Sequence, residues 1–132
     1  MLMEDSIFTK IIKGDIPCHK IYEDDLTIAF LDIHPIKPGH TLVVPKEQVD
    51  HLWDLPDESY TAVMNTAKRV ANKIREVTGA ARVGVHVVGL DVPHAHVHLF
   101  PFNTVEEYRT VVDMNIEPDH SALAAMAKKL AF

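Results

Sequence analysis

The stretch Val92-Pro93-His94-Ala95-His96-Val97-His98-Leu99-Phe100-Pro101 constrains this chain more than any other. It sets three histidines at alternate positions, with Ala95, Val97 and Leu99 between and after them. In an extended strand, successive side chains point to opposite faces. The three imidazoles then share one face, roughly 7 Å apart along the strand. Ala95, Val97 and Leu99 share the other face and can sit on a core. Pro93 and Pro101 suit the two ends of such a strand, because proline cannot donate to a ladder.

Read from the residues alone, the row has three meanings. It can be the polar face of a half-exposed strand, although Thr, Lys or Glu would serve there equally well. It can bind metal, since imidazole is the commonest metal ligand and zinc accepts alternate histidines on a strand. It can also be a covalent catalyst, in which one ring attacks an electrophile while its neighbours donate hydrogen bonds and protons. An unperturbed pKa of about 6.5 lets neutral and charged rings coexist near pH 7. Crowding then keeps at least one of them neutral.

Composition narrows the partners. A chain of 132 residues with 47% hydrophobic residues predicts one domain, residues 1–132, around one core. The net charge of −6, with no basic run, argues against nucleic acid and anionic membranes as partners. Any phosphate must therefore be held locally, by imidazoles and backbone N–H groups. The single cysteine, Cys18, fits a reducing compartment and reads as a small packed side chain. The opening Met1-Leu2-Met3-Glu4-Asp5 is acidic and lacks an apolar signal core. No apolar stretch approaches the roughly 20 residues of a membrane span. The expectation is a cytoplasmic protein.

Taken in order, Ser6 to Gly14 reads as a short helix with Ser6 as cap and Gly14 as stop. His19–Glu23 and Thr27–Asp32 read as strands around the turn Asp24-Asp25. His34-Pro35-Ile36-Lys37-Pro38-Gly39 is a rigid turn, and His40–Pro45 a third strand. Between Asp57 and Thr78 the apolar spacing changes to three and four, which predicts a helix of about six turns ending at Gly79. Arg82–Val88 reads as a fourth strand, joined by the tight connection Gly89-Leu90-Asp91 to the histidine strand, the fifth. Thr104–Val112 and Asp119–Leu130 read as helices separated by a break at Asn115–Pro118. The fold class is α+β: an antiparallel sheet of about five strands, one long helix, and short helices at both ends.

Five ordered blocks resemble the histidine triad (HIT) family of nucleotide-binding proteins. They are Ser6–Ile12, Asp15-Ile16-Pro17, Ala29–Pro35, Gly39–Lys46 and the triad itself, so the likeness spans roughly Ser6 to Pro101. The resemblance implies a HIT-like fold and a homodimer. It implies a purine-nucleotide hydrolase cutting at the α-phosphorus of a phosphoramidate or related conjugate, through a nucleotidyl-histidine, without a cofactor. A dinucleoside-polyphosphate hydrolase, a nucleotidyl transferase and a regulatory nucleotide-binding module are the alternatives it leaves open, beside a metal-dependent enzyme. By position, His96 matches the nucleophile, His98 the donor to the phosphate and its bridging atom, His94 the outer orienting histidine and His40 a supporting one. Asp32 matches the carboxylate that holds both ribose hydroxyls. Ile7, Phe8, Ile11, Phe30, Ile33 and Leu42 match the apolar slot around the base, and Gly89 belongs to the phosphate-side loop.

These roles are chemically sound on their own terms. A carboxylate offers two acceptors to a diol with two donors, although Asp32 could equally cap the turn that follows it. A base has a π face for an aromatic or branched side chain to cover. The chain also departs from the family. Leu90 stands where a Gln often follows the glycine, and no Asn lies between Ala80 and His94. His86 lies in that strand, where compensation for the missing contacts competes with a structural or solvent-facing role. Some members hold zinc with two Cys and a His at positions that read Ser6, Thr9 and Gln48 here, so no metal is expected. His19, His34, His51 and His120 read as surface or packing residues, and Lys37 and Lys46 as solvated lysines within possible reach of a phosphate.

Overall fold

The computed structural model describes residues 3–132, so Met1 and Leu2 of the acidic opening lie outside the described residues. Five strands form one antiparallel sheet: β1 (Lys20–Glu23), β2 (Thr27–Leu31), β3 (Thr41–Pro45), β4 (Arg82–His86) and β5 (Val97–Phe102). Their order across the sheet is β1-β2-β3-β5-β4. Four helices accompany them: α1 (Ile7–Ile12), α2 (Asp57–Thr78), α3 (Val105–Tyr108) and α4 (His120–Leu130). None of the described helices is long and apolar enough to cross a membrane.

The two faces of the sheet have different jobs. Helix α2 presents Val63, Ala67, Val70 and Ile74 to Ala29, Leu31, Val43, Val97 and Leu99, the main core. Its ends follow its sequence: Asp57 and Glu58 lie in the first turn and Arg75 in the last, as the helix dipole favours. Gly79 closes it at φ 68°, a left-handed position that glycine takes without cost. Helix α4 adds Leu123 and Leu130 to the same core. The opposite face carries a second cluster, Phe8, Ile28, Phe30, Leu42 and Val44, covered by α1. Ser6 caps α1, its Oγ accepting from the Thr9 N–H at 3.0 Å.

The alternation of the histidine stretch is realised. Ala95, Val97 and Leu99 are buried in the main core. The ladder, however, starts at Val97, not at Val92. Strand β3 ends at Pro45, which has no N–H, and the Pro45 carbonyl is taken by the His94 ring. The backbone N–H of His94 bonds instead to Val92 O and that of Ala95 to Val49 O. Pro101 lies inside β5, paired with Val83 on one side, where β3 no longer runs alongside.

Two other expectations change, and one element is new. β4 and β5 are antiparallel neighbours, but β4 stops at His86, so a longer loop replaces the tight turn at Gly89-Leu90-Asp91. The helix expected over Thr104–Val112 is only Val105–Tyr108, capped by Thr104 and Glu107, and the chain beyond is irregular. A short 3-10 turn at Leu52–Asp54 had no periodic signal to announce it.

Candidate active site

The site grows from a single row across the sheet. Phe30 on β2 pairs with Leu42 on β3, Leu42 with His98 on β5, and His98 with His86 on β4. Directly opposed residues share a face, so an apolar pair leads straight to the last histidine of the triad. Phe8 of α1 leans over this row. Its ring centroid lies 5.6 Å from Phe30 and 4.9 Å from His96. The rings of His96 and His98 are 4.9 Å apart, and those of His98 and His40 are 5.2 Å apart.

Hydrogen bonds fix the tautomer of each ring. His96 Nδ1–H donates to the His94 carbonyl at 2.7 Å, which leaves Nε2 of the neutral ring as a lone pair. His94 is fully buried; its Nε2–H donates to Pro45 O at 2.8 Å and its Nδ1 accepts from Ser6 Oγ at 2.6 Å. His40 Nδ1 accepts from the Ile36 N–H at 3.0 Å, so its proton sits on Nε2 and points at His98 Nδ1, 3.0 Å away. His98 in turn must carry its proton on Nε2. The result is one ring with a free lone pair and a neighbour with a free N–H. A nucleophile and a hydrogen-bond donor are thus set side by side.

Burial lowers the basicity of the supporting rings. Loss of hydration, with the neighbouring histidines adding to it, holds His40 at about 3 and His98 at about 4. Burial lowers His94 as well. These rings are neutral at pH 7, as the tautomer chain requires. Burial raises the Asp32 carboxyl above its ordinary range, against the His34 N–H bond that lowers it.

Asp32 combines both roles considered for it. Its Oδ1 accepts from the His34 N–H at 2.8 Å and pins the following turn. Its Oδ2 lies 3.6 Å from His40 Nε2 and 3.8 Å from His98 Nδ1, at the heart of the cluster. Phe8, Phe30 and Leu42 belong to a buried apolar cluster beside the rings, with Ile11 packed against it. Ile7 and Ile33 lie outside the buried cluster, 48% and 42% exposed. Ile33 lines a different groove of about 670 Å³, between the 33–39 turn and residues 110–129. Gly89 adopts φ 74° in the β4–β5 loop, and neighbouring Leu90 is 88% exposed. Lys37 is paired with Glu107 and Lys46 with Glu23, so neither lysine is left unpaired beside the rings. His19 and His120 pair with each other at the surface.

Two places test for metal. Ser6 and Thr9 do converge on His94, and Gln48 bonds to both of them. Thr9 Oγ1 donates to Gln48 Oε1 at 2.5 Å, the Ser6 N–H donates to the same oxygen, and Gln48 Nε2 donates to Glu4 O. Hydroxyls and an amide are not the thiolate and imidazole donors that zinc takes, and here they satisfy one another. Asp32, His40 and His98 also bring one ligand atom each within 4.8 Å, a donor set that zinc and iron accept. Yet the Ile36 N–H places the His40 proton on the very nitrogen that would ligate. This cluster is arranged to relay a hydrogen bond.

Three contacts of the histidine cluster had no sequence signal: those of Ser6 and Pro45 with His94, and that of the Ile36 N–H with His40. Ser6 lies 88 residues from His94, and its cap pattern accounted for it locally.

The chain is similar to known proteins in sequence and in fold. The chain is 41% identical over 103 residues to the adenosine 5'-monophosphoramidase of Schizosaccharomyces pombe, covering 77% of each. It is 36% identical over 105 residues to the purine nucleoside phosphoramidase of Escherichia coli, covering 74% of this chain and 87% of that one. Among solved structures, a Hit-like protein involved in cell-cycle regulation from Bartonella henselae superposes with a TM-score of 0.86 at 31% identity, covering 98% of this chain and 96% of that one. The HIT domain model matches residues 13–105, and the chain belongs to the HIT family.

Proposed function

We propose that this protein is a purine-nucleotide phosphoramidase that works through a nucleotidyl-His96 intermediate. The observation that carries the reading is the His96 tautomer. With Nδ1–H held on the His94 carbonyl, Nε2 is the only nitrogen able to attack. The base lies in the slot of Phe8, Phe30 and Leu42, and Asp32 accepts from the ribose hydroxyls. His96 Nε2 forms a bond to the α-phosphorus and the P–N bond breaks. The departing nitrogen takes a proton that entered on the substrate's phosphate, while His98 Nε2–H donates a hydrogen bond at the leaving atom. Water then attacks phosphorus and breaks the imidazole–phosphorus bond, and its proton leaves with the nucleoside monophosphate. Position and fixed donors supply the catalysis. Two relatives bear the names of phosphoramidases, which supports this substrate class.

The test mixes adenosine 5'-phosphoramidate with wild type and His96→Ala. We expect AMP release by the wild type and a loss of about a thousandfold or more in the variant. We also expect a protein species heavier by one adenylyl group in rapidly quenched wild type. Equal turnover would reject the nucleophile. Tight AMP binding with no turnover of phosphoramidates, dinucleotides or adenylyl conjugates would favour a regulatory binding module.

The assembly we propose is a homodimer built on β4. That strand is an open edge of the sheet, and Val85 on it is 51% exposed. Unpaired edges with apolar residues seek a partner, and a second copy can extend the ladder. Light scattering at micromolar concentration should give twice the 14.8 kDa chain mass, and Val85→Lys should give the monomer. A lone Cys18, half-buried, fits a reducing compartment, and we place the enzyme in the cytoplasm.

A further inference from the structure

His86 is the one histidine on the triad's face that the mechanism leaves idle. It ends the cross-strand row Phe30–Leu42–His98–His86. Neighbouring strands lie about 4.8 Å apart, so His86 stands one strand beyond His98, on the side away from Phe30. The base slot is at one end of the row and the phosphorus-facing ring is next to last. The proposed reaction sets His98 Nε2–H at the leaving atom, so the last place in the row lies beside the departing group.

The ring of His86 is held in position but chemically free. It packs edge-on against Phe100 at 4.8 Å and Tyr108 at 5.2 Å between centroids. Gly84 makes room for that arrangement: a Cβ there would meet Phe100 at 2.9 Å and Tyr108 at 3.1 Å. His86 is half-buried. His40, His94, His96 and His98 each bond a ring nitrogen to the protein. Among the described residues, neither nitrogen of His86 has such a partner. An oriented ring with an unused N–H suits an acceptor oxygen, and a charged acceptor gains most from it.

We propose that His86 binds the leaving group, donating to an anionic oxygen, carboxylate or phosphate, one strand beyond His98. This rests on the reaction proposed above. It gives the enzyme a preference among conjugates that share one nucleotide.

The test compares three adenylyl substrates: the phosphoramidates of ethylamine and of glycine, which differ by a carboxylate, and ADP, whose leaving group is phosphate. His86→Phe keeps the ring packing and removes the donor; His86→Gln keeps a donor. We expect His86→Phe to lower kcat/KM for an anionic leaving group about tenfold more than for ethylamine, and His86→Gln to retain most of the preference. A fall on the glycine conjugate alone assigns carboxylate, and a fall on ADP alone assigns phosphate. Because each ratio is taken on one preparation, loss of folded protein cancels. Turnover of all three with unmoved ratios would overturn the role of His86 and leave the reaction standing. Turnover of none by the wild type would overturn the reaction, and this role with it.

Discussion

Ser6 is linked to His96, the proposed nucleophile, through the ring and the carbonyl of His94. Its hydroxyl donates to His94 Nδ1, and the His94 carbonyl holds His96 Nδ1–H. Ser6→Ala leaves His94 Nδ1 with only the 3.4 Å contact to Thr9 Oγ1, whose proton is given to Gln48; that loss costs about 1–3 kcal/mol, and the lost cap of α1 about 1 kcal/mol more. We expect urea unfolding to show a loss of about 2 kcal/mol or more. kcat should fall more than KM rises, because the ring that is loosened is the one proposed to attack and not the apolar residues proposed to hold the base. Ser6→Thr keeps both the cap and the donor and should restore most of both quantities. A kcat unchanged in Ser6→Ala would show that His94 holds its place without the hydroxyl. At this scale the sequence was legible in part. Alternate spacing put His94, His96 and His98 on one face because strand geometry leaves no other choice. The hydroxyl that fixes the tautomer of His94 was not legible, since contact between residues 6 and 94 arises only when α1 folds over the sheet. Position by position, the resemblance had set Ser6, Thr9 and Gln48 where some members hold zinc and had argued against a metal there; the same three side chains form a hydrogen-bond network beside His94.

Elements divide the labour between the two faces of the sheet. Helix α2 was readable to the residue, because 22 residues of three/four spacing average out local noise and both ends carry their own signals. The start of β5 was not, because it depends on where β3 runs out of partners at Pro45. Helix α3 was overextended because the weak pattern after Thr104 lacks a core face to sustain it. The division predicts a separation of stability from activity. Ile74 is fully buried on α2, beneath the face opposite the rings. Ile74→Ala should cost about 2–5 kcal/mol while kcat per folded molecule stays near that of the wild type. Gly84→Ala acts on the other face. Its new methyl meets Phe100 and Tyr108, and the strain of overpacking is about 1–3 kcal/mol. Here the aromatic cluster beside His86 must shift, so kcat/KM should fall along with stability. Parallel thermal melts and turnover assays of the two variants distinguish these outcomes, and an equal loss of kcat in both would contradict the division.

The molecule as a whole carries several buried histidines that resist protonation, and this makes its stability depend on pH. His40 is held at about 3 and His98 at about 4, against an ordinary value of about 6.5, and His94 is lowered as well. The unfolded chain takes up these protons as pH falls below about 6.5, while the folded chain does not until pH is far lower. Stability rises with pH wherever the unfolded state binds more protons. The contribution is therefore complete above that value and is lost as pH falls towards the folded values. Asp32 has the opposite sign. Burial raises it, so its contribution is present in acid and is lost as pH rises through its folded pKa, and it offsets part of the histidine loss at the acid end. Glu23, Asp24 and Glu107 are lowered by their hydrogen bonds and lose their contribution only below the ordinary carboxylate range. Urea midpoints should thus decline between about pH 6.5 and pH 5, a window in which carboxylates without buried neighbours still hold most of their charge. His40→Gln removes one of the titrating rings. We expect the variant to be less stable at pH 7.5 yet to show a shallower decline over that window. Parallel curves for variant and wild type would mean that His40 takes up its proton as readily folded as unfolded, and the neutral relay from Ile36 through His40 to His98 would have to be redrawn.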